Sequence, residues 1–342
     1  MKKNITKYLL LALACLGLQS CLFQEENYFD DSSANRATAD VSRCGELLKG
    51  APNGWVMEYY VGKDYSLGGI TLLCRFDGQR VTMASQMSEA DETVSSLYSV
   101  KSEQATMLSF DTYNYLVHYF GQPQGSMSDD PNGTLGGDYE FIISSASAEN
   151  IELKGKKYGN RIVMKALTED QTWKQYLTKI KKVEDDAFFY EYDLLMDGLY
   201  TGQMIRSNYT FIVTYYDEIG KVHQKTVPFM FTADGLRFHE PVTIDGQTMQ
   251  NFVWKNELIS FVCTDEGATG VKLAGVYTAG YQSYDYYPGT YQMDFYRLND
   301  ETGQLEVASQ EVRLLKNEDG KSYWLKGLEY DILVMYDKPR GG

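Results

Sequence analysis

Two periodicities alternate along the chain. In Ala34–Lys49, Ala37, Val41, Cys44, Leu47 and Leu48 recur at near-helical spacing. Asp30, Asp31, Ser32 or Ser33 can cap that helix, and Gly50 ends it before the turn Ala51-Pro52-Asn53-Gly54. From Trp55 the period falls to two. Short strands are predicted at Trp55–Tyr60, Ile70–Phe76, Arg80–Ala84, Leu97–Lys101, Met107–Phe110, Leu116–Phe120, Tyr139–Ser144, Ile151–Lys154 and Ile162–Ala166. Gly68-Gly69, Asp77-Gly78, Gly136-Gly137 and Gly155 punctuate them, and crossover helices have almost no room. Glu169–Asp186 returns to helical spacing, with Trp173, Tyr176, Leu177, Ile180 and Val183 on one face. Beyond Leu199 the strand pattern resumes at Gln203–Ile205, Tyr209–Tyr216, Thr226–Phe231, Leu236–His239, Gln250–Trp254, Leu258–Cys263, Tyr291–Leu298, Val312–Lys316, Tyr323–Lys326 and Ile332–Tyr336. Asp234-Gly235 and Asp245-Gly246 mark hairpins there.

The expected fold is mainly β. An antiparallel meander or barrel domain (residues 33–167, with its helix) is joined by a linking-helix segment (168–198) to a second antiparallel β domain (199–342). The helix followed by Asn53-Gly54-Trp55 is similar to the opening of lipocalin-like barrels. The 28 tyrosines and 15 phenylalanines against 7 prolines suit packed sheet faces.

Residues 1–20 are of another kind. Lys2, Lys3 and Lys7 precede an apolar run from Leu9 to Leu18, about half the length needed to span a bilayer. Leu18-Gln19-Ser20-Cys21 resembles the lipobox of bacterial lipoproteins, which implies cleavage before Cys21, lipid on its thiol and a tether over residues 21–32. Leu22-Phe23-Gln24-Glu25-Glu26 is similar to the surface-export signal of Bacteroidetes lipoproteins, which implies exposure outside the outer membrane.

Without residues 1–20 the chain holds 29 basic and 47 acidic residues, a net charge of −18. That charge repels nucleic acid and anionic membrane surfaces, and suits solubility, calcium or neutral ligands such as glycans. Cys44, Cys74 and Cys263 remain, so at most one disulfide can form; they lack zinc-site spacing and read as buried small hydrophobes. HExxH, GxSxG and P-loop motifs are missing, and no cofactor or metal is expected. Ser128–Gly133 with Gly136-Gly137-Asp138 is oxygen-rich, but the twelfth position of an EF-hand would fall on Tyr139. Asp138 and Glu140 share a strand face at a spacing compatible with the roughly 5 Å of a retaining glycosidase pair.

Two segments stand out as ligand surfaces. Phe110-Asp111-Thr112-Tyr113-Asn114 with His118 combines polar and aromatic groups: Asp111 and Asn114 could bond a sugar or peptide while Tyr113 stacks. The same residues also suit a tight turn. Tyr281, Tyr284, Tyr286 and Tyr287, between Tyr277 and Tyr291, form either a stacking platform or a packed hairpin.

Phe29-Asp30, Pro52-Asn53-Gly54-Trp55, Leu108–Asn114 with His118, Gly137–Phe141 and Leu153–Lys157 together resemble an uncharacterised family of Bacteroidetes lipoproteins, a domain of unknown function. The resemblance implies proximity to SusC/SusD-like uptake systems and an accessory role in capturing glycan or peptide nutrients. It assigns no catalytic residues. A carboxylate-pair hydrolase and a structural or adhesive envelope protein are the alternatives.

Overall fold

The computed structural model describes residues 32–124, 133–217 and 219–342. Cys21, the tether through residue 31 and the Ser128–Asn132 part of the oxygen-rich loop lie outside the described residues. Helix α1 spans Ser33–Lys49, and of the four candidate caps Ser32 accepts the Asn35 N–H at 3.1 Å. The helix buries Cys44 and Leu48. The Trp55 indole donates to the Leu48 carbonyl (2.8 Å) and the Thr106 hydroxyl to Asp40 (2.5 Å), fixing α1 to the sheet it packs on.

That sheet is a closed barrel of eight sequential antiparallel strands. They are β1 (Trp55–Val61), β2 (Gly68–Phe76), β3 (Arg80–Ser85), β4 (Val94–Ser102), β5 (Thr106–Phe110), β6 (Glu140–Ala146), β7 (Asn150–Gly155) and β8 (Arg161–Ala166). Closure comes from β1 against β8, with Trp55 opposite Ala166 and Val56 opposite Lys165, so no edge is left bare. Alternate side chains fill the interior: Trp55, Met57, Tyr59, Leu72, Cys74 and Phe141 are all fully buried. The predicted strand Leu116–Phe120 is instead a helical turn, α2 (Tyr115–His118), because Asn114 caps the Leu116 N–H and turns the chain before it can extend.

Helix α3 (Trp173–Asp186) starts at a capping box of Thr172 and Gln175. A second closed barrel follows: β9 (Glu191–Met196), β10 (Leu199–Ser207), β11 (Thr210–Tyr216), β12 (Val222–Phe231), β13 (Gly235–Ile244), β14 (Gln247–Lys255), β15 (Ser260–Cys263) and β16 (Val271–Val276). Its first strand lies within the stretch expected to be linker. β9 pairs both β10 and β16, with Tyr192, Leu194 and Met196 pointing inward. The remainder of 199–342 is a separate four-stranded sheet in sequential order: β17 (Gly289–Leu298), β18 (Leu305–Lys316), β19 (Ser322–Lys326) and β20 (Ile332–Met335).

The barrels pack directly on each other. β2 lies against β12, and Val56, Leu73 and Ala84, on the outer face of the first barrel, join a continuous core with Leu177 and Ile180 of α3 and the second barrel. This is why β1 is buried along its whole length. Gly68 has φ +72°, and a Cβ there would collide with the Tyr209 backbone, so glycine lets the two chains touch.

Candidate inter-barrel site

The outward positions of β1 are Val56, Glu58 and Tyr60, and they face the second barrel. Val56 enters the shared core, while Glu58 and Tyr60 meet Arg237 and His239, the outward residues of β13. Outward residues of β7 and β8, among them Glu152, Arg161 and Lys165, close a cleft of 250 Å³. Every strand contributes at a period of two, so the lining is the outside of two barrels turned into an inside. A second cleft, of 420 Å³, shares Glu58, Lys165 and Arg237 with it and continues along the junction toward Tyr176 and Asn251.

Glu58, only 7 % exposed, receives one cation from each side: Lys165 of its own barrel at 2.9 Å, and Arg237 of the other. Such a carboxylate ties the barrels together, because removing one partner strands a buried charge. Burial depresses the pKa of Lys165 and of Arg237, so their desolvation is not fully offset. The His239 ring sits 4.4 Å from the Tyr60 ring and 3.9 Å from that of Tyr65. Burial lowers the His239 pKa; nearby Glu240 opposes this, and Arg237 and Arg161 add to it.

The polar atoms here are incompletely satisfied. The Tyr60 hydroxyl, the Arg237 Nε–H and both ring nitrogens of His239 are buried with no hydrogen-bond partner. Among the described residues the only other such atom is the Thr71 hydroxyl. A buried group left unpaired costs about 1–3 kcal/mol, and four such atoms belong to three residues that line one cleft. A larger cleft, of 530 Å³, lies where α3 meets the C-terminal sheet. There Arg206 bonds Glu184 and Lys338 bonds Asp185, and none of the orphaned atoms is present.

The segments singled out from the sequence are placed elsewhere. Asn114 is fully buried; it accepts from the Leu116 N–H and donates to Ser96, so its side chain serves the turn. Asp111 is exposed and its N–H donates to the Leu97 carbonyl. Tyr113, 63 % exposed, lies 5.5 Å from the His118 ring, which stacks on Tyr139 at 4.6 Å, making a small surface ledge. The tyrosine-rich segment packs inward. Tyr284 donates to the Ser322 carbonyl (2.6 Å) and Tyr287 to the Gly341 carbonyl (2.5 Å), and Tyr281 lies beside Tyr277 and Phe188. Tyr286 alone of the four stays exposed.

The carboxylate pair is likewise committed. Asp138 accepts the Lys157 and Tyr158 N–H groups, and Glu140 is bridged by Lys101 and Lys156. Burial raises the Asp138 pKa, while hydrogen bonding from Lys101 lowers that of Glu140. Cys44, Cys74 and Cys263 are buried free thiols. Burial raises the pKa of each, that of Cys263 to about 11, which keeps them protonated and poorly nucleophilic. No group of three or more metal-ligating side chains occurs among the described residues.

Sequence reasoning missed the inter-barrel cleft because its lining comes from strands far apart in the chain. One local signal was available: Glu58 is the sole charged residue in the otherwise apolar run Trp55–Val61.

The profile of the family described as Domain of unknown function (DUF4302) matches residues 25–256. The chain belongs to that family. A second profile, also described only as a domain of unknown function, matches residues 264–342. The boundary falls inside the second barrel, since β16 lies in the second match and closes on β9 in the first. No curated protein and no solved structure matches the chain.

Proposed function

We propose that this member of the DUF4302 family is a bacterial outer-membrane lipoprotein, anchored through Cys21 and displayed at the cell surface. In this reading it binds a saccharide or peptide fragment in the inter-barrel cleft, as an accessory component of a nutrient-uptake system of the SusC/SusD-like kind. The anchor rests on the basic, apolar and Ser20-Cys21 zones of the leader, and the surface location on Gln24-Glu25-Glu26. Among the described residues no helix is long and apolar enough to cross a membrane.

The observation that carries the binding reading is the set of buried, unpartnered polar atoms of Tyr60, Arg237 and His239 around one cleft. Small-molecule sites combine an apolar or aromatic wall with a few convergent polar groups. Here the Tyr60 and His239 rings line the cleft, and the orphaned atoms of these two residues and of Arg237 supply the polarity. Both barrel interiors are packed with side chains, which favours the junction over a lipocalin-type cavity.

A glycan and peptide array probed with the soluble Glu25–Gly342 fragment tests binding, and a membrane pull-down tests partnership. The expected result is a small set of related ligands whose capture is lost in Tyr60→Phe or Arg237→Gln. Silence on the array, with no SusC/SusD-like protein in the pull-down, contradicts the proposal.

A further inference from the structure

We infer that the inter-barrel cleft recognises a ligand through a carboxylate group, carried on a molecule about the size of one sugar ring. This rests on the binding reading above and specifies its chemistry.

The first ground is the count of charges. Arg161, Lys165 and Arg237 line the cleft against Glu58 and Glu152. Glu152 is taken by Arg161 at 2.8 Å, and Glu58 is shared between Lys165 and Arg237. Three cations thus face two carboxylates among the lining side chains, with Glu240 near His239 outside the lining, inside a chain whose net charge is −15. Arg161 and Lys165 keep about half or more of their side chains in solvent, so Arg237 is the buried cation, and such a cluster of cations in an acidic protein creates a local well for an anion.

The second ground is the direction of the unmade hydrogen bonds. The Arg237 Nε–H can only donate, the Tyr60 hydroxyl has a proton to give, and neutral His239 offers one N–H and one acceptor nitrogen. Donors therefore exceed acceptors among the orphaned atoms. A carboxylate accepts through two oxygens, and charge-assisted bonds of this kind are roughly twice as strong as neutral ones. The Tyr60 side chain is 4 % exposed, so its hydroxyl has little bulk solvent to turn to.

The third ground is size and shape. The 250 Å³ cleft is smaller than the roughly 300–1,000 Å³ of drug-sized pockets, which suits a single small ring or one residue of a longer chain. The His239 ring lines the cleft beside the donors and packs at a tilt against the Tyr60 and Tyr65 rings. A hexuronic acid and the carboxyl end of a peptide both present a carboxylate next to a compact body, so both sources share this chemistry.

Binding an anion would also relieve the depressed basic groups. The His239 pKa, now lowered chiefly by burial, would rise when negative charge arrives beside it. The carboxylate should therefore bind more tightly at pH 5.5 than at pH 7.5, with proton uptake.

Titration calorimetry on the purified protein with two matched pairs tests the inference: D-galacturonic acid against D-galactose, and N-acetylalanine against its amide. The expected result is binding of at least one acid, at least tenfold tighter than its neutral counterpart. That preference should be lost in Arg237→Gln and the affinity weakened in Tyr60→Phe, a variant that removes only an unpartnered hydroxyl and so keeps the fold. The pair that responds identifies the source of the carboxylate. Equal binding of an acid and its neutral partner overturns the carboxylate assignment and leaves the binding reading standing. Absence of binding by all four compounds overturns the assignment; array ligands that still need Tyr60 would then keep the broader reading, whereas a silent array would end both. Tight binding of an acid that both variants retain places recognition elsewhere and also overturns it.

Discussion

At the C-terminal sheet, Tyr284 gives its hydroxyl to the Ser322 carbonyl and accepts the Asn317 N–H, Tyr323 gives its own to the Tyr284 carbonyl, and Tyr336 to that of Gln282. At the barrel junction, Tyr60 is buried like Tyr323 and Tyr336, and its hydroxyl has no hydrogen-bond partner. The residue type is the same, and between Tyr60 and the equally buried Tyr323 and Tyr336 it is the partners that differ, while Tyr284 is half-buried. Tyrosines whose hydroxyls are consumed by backbone carbonyls are fasteners holding a loop on a sheet. A buried tyrosine with an idle hydroxyl, beside an arginine and a histidine in the same condition, is in the reading proposed above a group kept for a ligand. Crowding of aromatics in sequence therefore indicates function less well than the state of their polar atoms.

The largest expected effect that would break this contrast lies in the fasteners. Tyr323→Ala removes a fully packed ring and should cost about 3–5 kcal/mol, unravelling the C-terminal sheet while the inter-barrel cleft keeps its ligand affinity. Hydrogen exchange resolved by region, together with a binding titration, checks both halves. Gly68→Ala comes next. Its positive φ alone costs roughly 1–2 kcal/mol, and the collision with Tyr209 adds to that, so this variant should loosen the barrel junction and weaken binding together.

A sharper comparison pairs two identical changes. Tyr284→Phe should lower stability by about 1–2 kcal/mol, because the Ser322 carbonyl loses its donor. Tyr60→Phe should leave stability unchanged or raise it by about 1 kcal/mol, since an unsatisfied buried hydroxyl is deleted. Chemical denaturation of the two variants measures the difference, and equal losses would dissolve the distinction. The smallest effect is in pH. The His239 pKa is lowered in the folded chain, so below the ordinary histidine value the unfolded chain binds more protons and stability falls with pH. His239→Phe should remove that part of the loss between pH 7.5 and 5.5, and denaturation at the two pH values reads it.

Much of the architecture was legible. Period-two alternation and glycine turns gave the first barrel all eight of its strands to within a few residues, and helical spacing gave α1, with its polar cap, and α3, whose start lies four residues later than expected. Leu116–Phe120 failed because its apolar pattern is too short to separate strand from turn, and the Asn114 cap decided it. β9 and β16 escaped notice for a related reason. Each is six residues long, β9 follows directly on a helix, and β16 ends in Gly275-Val276 with few large side chains. Yet these two strands close the second barrel on each other, a pairing between distant segments that local pattern does not carry. The site was hidden for the same reason. Glu58, Arg161 and Arg237 look like ordinary outward polar residues until the two barrels are placed against each other.

The three histidines offer the most direct test, because they sample three regions: His118 on the Tyr139 ledge, His223 stacked on Tyr215 and bonded to Asp217, and His239 in the cleft. Nitrogen NMR of the imidazoles, followed while a ligand identified on the array is added, reports which region it occupies. Perturbation of His239 alone is the predicted result, whereas a response at His118 or His223 with His239 unmoved would contradict the assignment of the inter-barrel cleft as the binding site.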